Sequence, residues 1–281
     1  RRLRQADRTP GHLFRHPCGE IVIDMEKTAR KINYKLIGVL TLLGIIGVVA
    51  IFPYQTTVQA DLLTNELGDI SLPLMILVNV GSMGITLFIL IFLAERMLAR
   101  TGLNVPIIHA IIQRKKIPTI SLKWIISGIV VSFIGVVIIL SLDVYVFKTT
   151  IDVIPPWWQG MLAILYGGIT EELLVRFFGM TFIVWLLAKL TKKSRENIPA
   201  SYFYIGMIGA SILFGLGHLP ATAQIVGEIT ALVVIRGILL NGLLGIWFGY
   251  LYWKKGLEYA MIAHMSADIF IHVLLGPIYY Q

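Results

Sequence analysis

Leu72-Pro-Leu-Met-Ile-Leu-Val-Asn-Val-Gly-Ser-Met-Gly-Ile-Thr-Leu-Phe-Ile-Leu-Ile-Phe-Leu93 runs for 22 residues without a charge. A helix of that length crosses the roughly 30 Å hydrocarbon core of a bilayer, where only a helix or a closed barrel can satisfy its own backbone. The stretch therefore predicts a transmembrane helix. Further apolar runs of spanning length stand at 36–52, 124–147, 158–188, 202–219, 230–253 and 257–275, so the expected fold is all-α, a polytopic transmembrane helical bundle of about seven to eight spans. Composition agrees: of 281 residues 57% are hydrophobic and 14% charged, with a mean hydropathy of +0.80, unlike a soluble domain.

Charge orients the bundle, because Lys and Arg near span ends stay on the cytoplasmic side. Lys27, Arg30, Lys31 and Lys35 precede the first run, whereas the next loop holds Asp61, Glu66 and Asp69 and no base. Arg96, Arg100, Arg114, Lys115, Lys116 and Lys123 follow the second, Lys148 and Asp152 the third, Lys189, Lys192, Lys193 and Arg195 the fourth, Glu228 the fifth, and Lys254 with Lys255 the sixth. The alternation predicts a cytoplasmic N-terminus and an external C-terminus in a multi-pass protein; a bacterial cell membrane is the expected location. The net charge of +8 reads as topology, which makes the lipid bilayer a partner and nucleic acid not one.

Residues 1–24 are polar, lack helical period and lack the apolar core of a secretory signal, so they read as an N-terminal extension, a non-native one fitting best. His12, His16 and Cys18 lie there, and scattered tail residues are a better account of them than a metal site. Cys18 is the sole cysteine, so no intramolecular disulfide forms. Residues 25–150 form N-terminal transmembrane helices, and 151–281 a further helical core. Segment 102–118 joins Val105, Ile107, Ile108, Ile111 and Ile112 to Arg114, Lys115 and Lys116, fitting either a helix along the inner membrane surface or a packed cytoplasmic loop. Gly206, Gly209 and Ala210, and later Gly242, Gly245 and Gly249, have the spacing of close helix packing.

Within the fourth run, Tyr166-Gly-Gly-Ile-Thr-Glu171-Glu172-Leu-Leu-Val-Arg176-Phe-Phe-Gly179 places two carboxylates and an arginine inside apolar sequence. Each costs roughly 2.5–3.5 kcal/mol near the middle of a bilayer on insertion scales, which points to a buried functional cluster. A structural ion pair alone would need one carboxylate. The other titratable residues at membrane depth are His218, in Phe214-Gly-Leu-Gly-His218-Leu-Pro220, and His264, Asp268 and His272, four apart and so on one helix face. On an α-helix Glu172 and Arg176 pair at i and i+4, while Glu171 is rotated by about 100° and left free to act as a general base. His218 from another helix would share activation of a water, and His264 with residue 268 would stabilise an oxyanion.

These residues resemble the membrane-embedded CAAX proteases and bacteriocin-processing enzymes, the CPBP or Abi family. The family's ordered motifs Glu-Glu-x3-Arg, Phe-x3-His and His-x3-Asn/Asp stand here as Glu171-Glu172-x3-Arg176, Phe214-x3-His218 and His264-x3-Asp268. The resemblance covers about 155–276 and makes 151–281 the catalytic core. It implies a glutamate-type intramembrane endopeptidase that acts on membrane-anchored or prenylated peptides and proteins, without a cofactor. Glu171, His218, His264 and Asp268 would be catalytic, and Glu172 with Arg176 a structural ion pair. Signatures of zinc, serine and aspartyl intramembrane proteases are missing from the sequence.

Where the family carries Asn, an ionised Asp268 would repel an oxyanion; it must be protonated, face a cation or bind metal. His218, His264, Asp268 and His272 offer ligands for a divalent metal such as Zn, and a metal-dependent protease is the alternative on that count. A catalytically silent bacteriocin-immunity or scaffold protein on the same fold is another. A transporter or proton relay is a third, although no paired repeat halves are visible. Counted from the run ends, His218 lies near the outer end of its span and Glu171 and His264 deeper, so either the spans tilt or Pro220 marks a break.

Overall fold

A computed structural model describes residues 32–60, 71–149, 153–226 and 228–280. The polar extension 1–24 with His12, His16 and Cys18, the bases Lys27, Arg30 and Lys31, the acidic residues Asp61, Glu66 and Asp69, and Asp152 lie outside them. The described residues contain helices and no strand. Among the described residues seven helices are long and apolar enough to cross a membrane: Tyr34–Val58, Leu72–Thr101, Leu122–Val146, Trp157–Leu190, Ala200–Ala223, Ala231–Lys255 and Leu257–Tyr279. Each contains, or nearly coincides with, one of the apolar runs, and they are called the first to seventh spans below.

Local chemistry sets several of their ends. The Asn33 side chain accepts from the Leu36 N–H at 3.1 Å to cap the first span, and Thr230 does the same for the sixth, from Val233 at 3.3 Å. Gly102, at φ 76°, closes the second with its N–H on the Leu98 carbonyl. Gly256 alone separates the sixth and seventh spans; its φ is 109°, and a Cβ there would sit 2.3 Å from Pro106 Cδ, so glycine is required twice over.

The fourth span is central, packing against the first, second, fifth and seventh. It is not a regular α-helix. Between α-helical ends, Trp157–Leu165 and Thr181–Leu190, the stretch Tyr166–Met180 winds as a π-helix. This corrects the α-helical geometry assumed for the two glutamates, since i→i+5 winding separates neighbours by a smaller angle. Gly167 and Gly168 stand at the entry to the wide turn, and a Cβ at either would lie 2.1 Å from a seventh-span side-chain atom, of Asp268 and Met265 respectively.

The fifth span breaks where Pro220 implied. Its first helix, Ala200–Gly217, stops at His218, and a second, Leu219–Val226, begins with Leu219-Pro220, a position where the missing N–H of proline costs nothing. Bases from two loops lie at the end of the bundle where the sixth and seventh spans join: Lys255 Nζ lies 5.2 Å over the Trp124 ring, and Arg195 Nε lies 3.3 Å from where a Gly102 Cβ would be. At that end the segment after the second span forms a short helix, Pro106–Ile112. It packs onto the start of the seventh span, where buried Glu258 accepts from the Ile107 and Ile108 N–H groups at 2.7 and 2.8 Å.

Candidate active site

The π-helical stretch presents both glutamates toward the fifth and seventh spans, in different surroundings. Glu172 and Arg176 are buried, with side chains 0% and 1% exposed and Arg176 Nη1 2.9 Å from Glu172 Oε1. The same carboxylate oxygen lies 2.8 Å from His264 Nδ1. Glu172 therefore does more than pair with Arg176: it takes the Nδ1–H of His264 and so turns Nε2 of that ring toward Glu171 and Asp268. The sequence reading missed this bond, for spacing shows who shares a helix face and not which helix lies across from it.

Glu171 is open, its side chain 15% exposed beside His218 at 32%. One of its carboxylate oxygens lies 3.7 Å from His218 Nε2 and the other 3.6 Å from His264 Nε2. These separations exceed a direct hydrogen bond and suit a shared water. His218 Nδ1 is 2.8 Å from the Phe214 carbonyl, so the ring donates there and leaves Nε2 as an acceptor toward Glu171 in the neutral form. Asp268 Oδ1 is 3.7 Å from His264 Nε2, and Oδ2, buried against Gly167, makes no hydrogen bond among the described residues.

Aromatic rings hold the cluster. Phe214 meets His218 edge to face at 4.5 Å and lies 5.2 Å from the Arg176 guanidinium, which explains a phenylalanine one turn before the histidine. From the sixth span Phe248 stacks on His264 at 4.8 Å and faces Arg176 at 5.3 Å. A Gly245 Cβ would lie 2.6 Å from Arg176 Nη2. The sequence reading assigned neither residue to the site; the Gly242, Gly245, Gly249 spacing was its one signal.

Glu171, His218, His264 and Asp268 are thus brought together. His272 is drawn elsewhere, its Nδ1 3.2 Å from the Tyr54 hydroxyl of the first span. Among the described residues no three His, Cys, Asp or Glu side chains form a group that could hold a metal ion. The arrangement offers two acceptors around one water-sized gap and a histidine ringed by three carboxylates, Glu171, Glu172 and Asp268.

The site thus gathers ionisable side chains from three spans, the fourth, fifth and seventh. Residues 153–270 match the family model described as type II CAAX prenyl endopeptidase Rce1-like, which agrees with the CPBP resemblance carried by the three motifs, all of which fall inside that segment. No curated protein and no solved structure matches the chain. The family match supports intramembrane protease function in a multi-pass integral membrane protein.

Proposed function

We propose that this chain is a glutamate-type intramembrane endopeptidase that hydrolyses peptide bonds of membrane-anchored, prenylated substrates. The observation that carries the reading is the Glu171 carboxylate standing 3.7 Å from His218 Nε2 and 3.6 Å from His264 Nε2. A water between Glu171 and His218 gives one O–H to each acceptor. Glu171 takes a proton as the water oxygen bonds to the scissile carbonyl carbon. His264 in its doubly protonated form, and Asp268 in its neutral form, donate to the oxyanion. The C–N bond then breaks, and the proton held by Glu171 goes to the leaving amine. Glu172 orients His264, and Arg176 balances Glu172. The substrate class rests on the family description, and the mechanism assigns no role to a metal.

The test compares wild type and Glu171→Gln in liposomes holding a prenylated peptide. Glu171→Gln keeps shape and removes the base, so cleavage is expected to fall roughly 10²-fold or more while melting temperature holds. Equal cleavage by both proteins overturns the assignment. Binding of the peptide without cleavage by wild type favours the silent scaffold instead.

A further inference from the structure

The spans that precede the matched segment 153–270 carry none of the three motifs, yet two hydrogen bonds tie them to the site at adjacent backbone positions. Thr170, immediately before Glu171, donates from Oγ1 to the Gly44 carbonyl of the first span at 2.8 Å. Ser132 of the third span donates from Oγ to the Ala263 carbonyl, immediately before His264, at 2.7 Å. Both hydroxyl-bearing residues are fully buried, at 0% exposure.

A buried Thr or Ser in a helix ordinarily bonds back to its own preceding turn. Here each reaches across to another helix, and small residues make the approach possible. A Cβ at Gly47 would lie 2.3 Å from Thr170 Oγ1 and 2.7 Å from the Leu165 carbonyl oxygen. On the third span Gly128, Ser132 and Gly135 lie on one face at helical spacing, and a Gly128 Cβ would stand 3.2 Å from the Ala263 Cβ. The two helices so held bear the groups whose 3.6 Å separation, Glu171 to His264, defines the site.

We infer that Thr170 and Ser132 are positioning residues, which fix the fourth and seventh spans against the first and third so that Glu171 and His264 stand at working distance. The inference rests on the proposed protease reading for its effect on turnover, and on geometry alone for its effect on the two helices.

The experiment uses full-length protein in liposomes with the same prenylated peptide. Thr170→Val, which keeps shape and drops the hydroxyl, and Ser132→Ala should each lower kcat about tenfold, and the pair together about a hundredfold, with KM unchanged. Thr170→Ser, which retains the donor, should restore kcat. In parallel, 15N-histidine spectra report the site without catalysis: the His264 ring signals should shift or broaden in Ser132→Ala and in Thr170→Val, while those of His109 on the surface helix stay fixed. A double variant with wild-type kcat, a loss shared by Thr170→Ser, or unmoved His264 signals overturns the inference. Should Thr170→Val fail to fold, Ser132→Ala decides by both readouts. Should wild type leave the peptide uncut, the protease reading fails and the imidazole spectra still decide the positioning.

Discussion

Two adjacent carboxylates of one helix stand in different surroundings, Glu171 partly exposed and Glu172 buried. Glu172 is ion-paired with Arg176 at 2.9 Å and hydrogen-bonded to His264 at 2.8 Å. Glu172→Gln leaves that arginine without its counter-charge, so a stability loss of about 3–5 kcal/mol is expected in thermal unfolding, with activity lost as well because His264 is no longer oriented. Unchanged melting would show that the pair does not hold the fold. Asp268 stands where the resembled motif takes either Asn or Asp. Asp268→Asn supplies a permanent NH2 donor of the same shape, so turnover should be retained or raised, with less loss at alkaline pH, and a chelator should have no effect. Turnover abolished by chelation, restored by metal, and weakened in Asp268→Asn would assign the site to a metal instead.

At the scale of the element, the fourth and seventh spans meet so closely that glycine is a requirement of the site. The Gly167→Ala methyl would fall 2.1 Å from Asp268 Oδ2, so Asp268 must move and cleavage should drop roughly a hundredfold. Gly81→Ala, where nothing lies within 4 Å, serves as the control, and equal activity of the two would show that Asp268 tolerates displacement. The seven spans were legible in the sequence because length and apolarity alone define a crossing helix. Glu171, His218, His264 and Asp268, which the structure brings together, could be singled out because ionisable groups stand out against lipid-facing sequence; His272, singled out with them, lies against Tyr54 instead. The π-winding was not legible: a helix that is apolar on nearly every face has no periodic signal to reveal its pitch. Nor were Phe248, Thr170 and Ser132, since aromatic and hydroxyl residues are ordinary in such helices and only the neighbour across the gap gives them work.

At the scale of the bundle, polar contacts close the end opposite the Gly256 turn. Arg236 of the sixth span grips Asp143 of the third through Nε and Nη2 at 2.6 and 2.8 Å, and the Tyr280 hydroxyl, just past the seventh, donates to the same carboxylate. Arg236→Met strands a carboxylate that is 4% exposed and should lower stability by about 3 kcal/mol, part of which Asp143→Asn in the same chain should return. Additive losses in that double-variant cycle would show the two residues to be independent. At the opposite end, Gly256 is the entire connection between the sixth and seventh spans, and Glu258 latches the following turn to the surface helix. A one-residue connection restrains how far these two helices can slide along each other. Phe248 and His264, one on each, are therefore kept level, stacked at 4.8 Å.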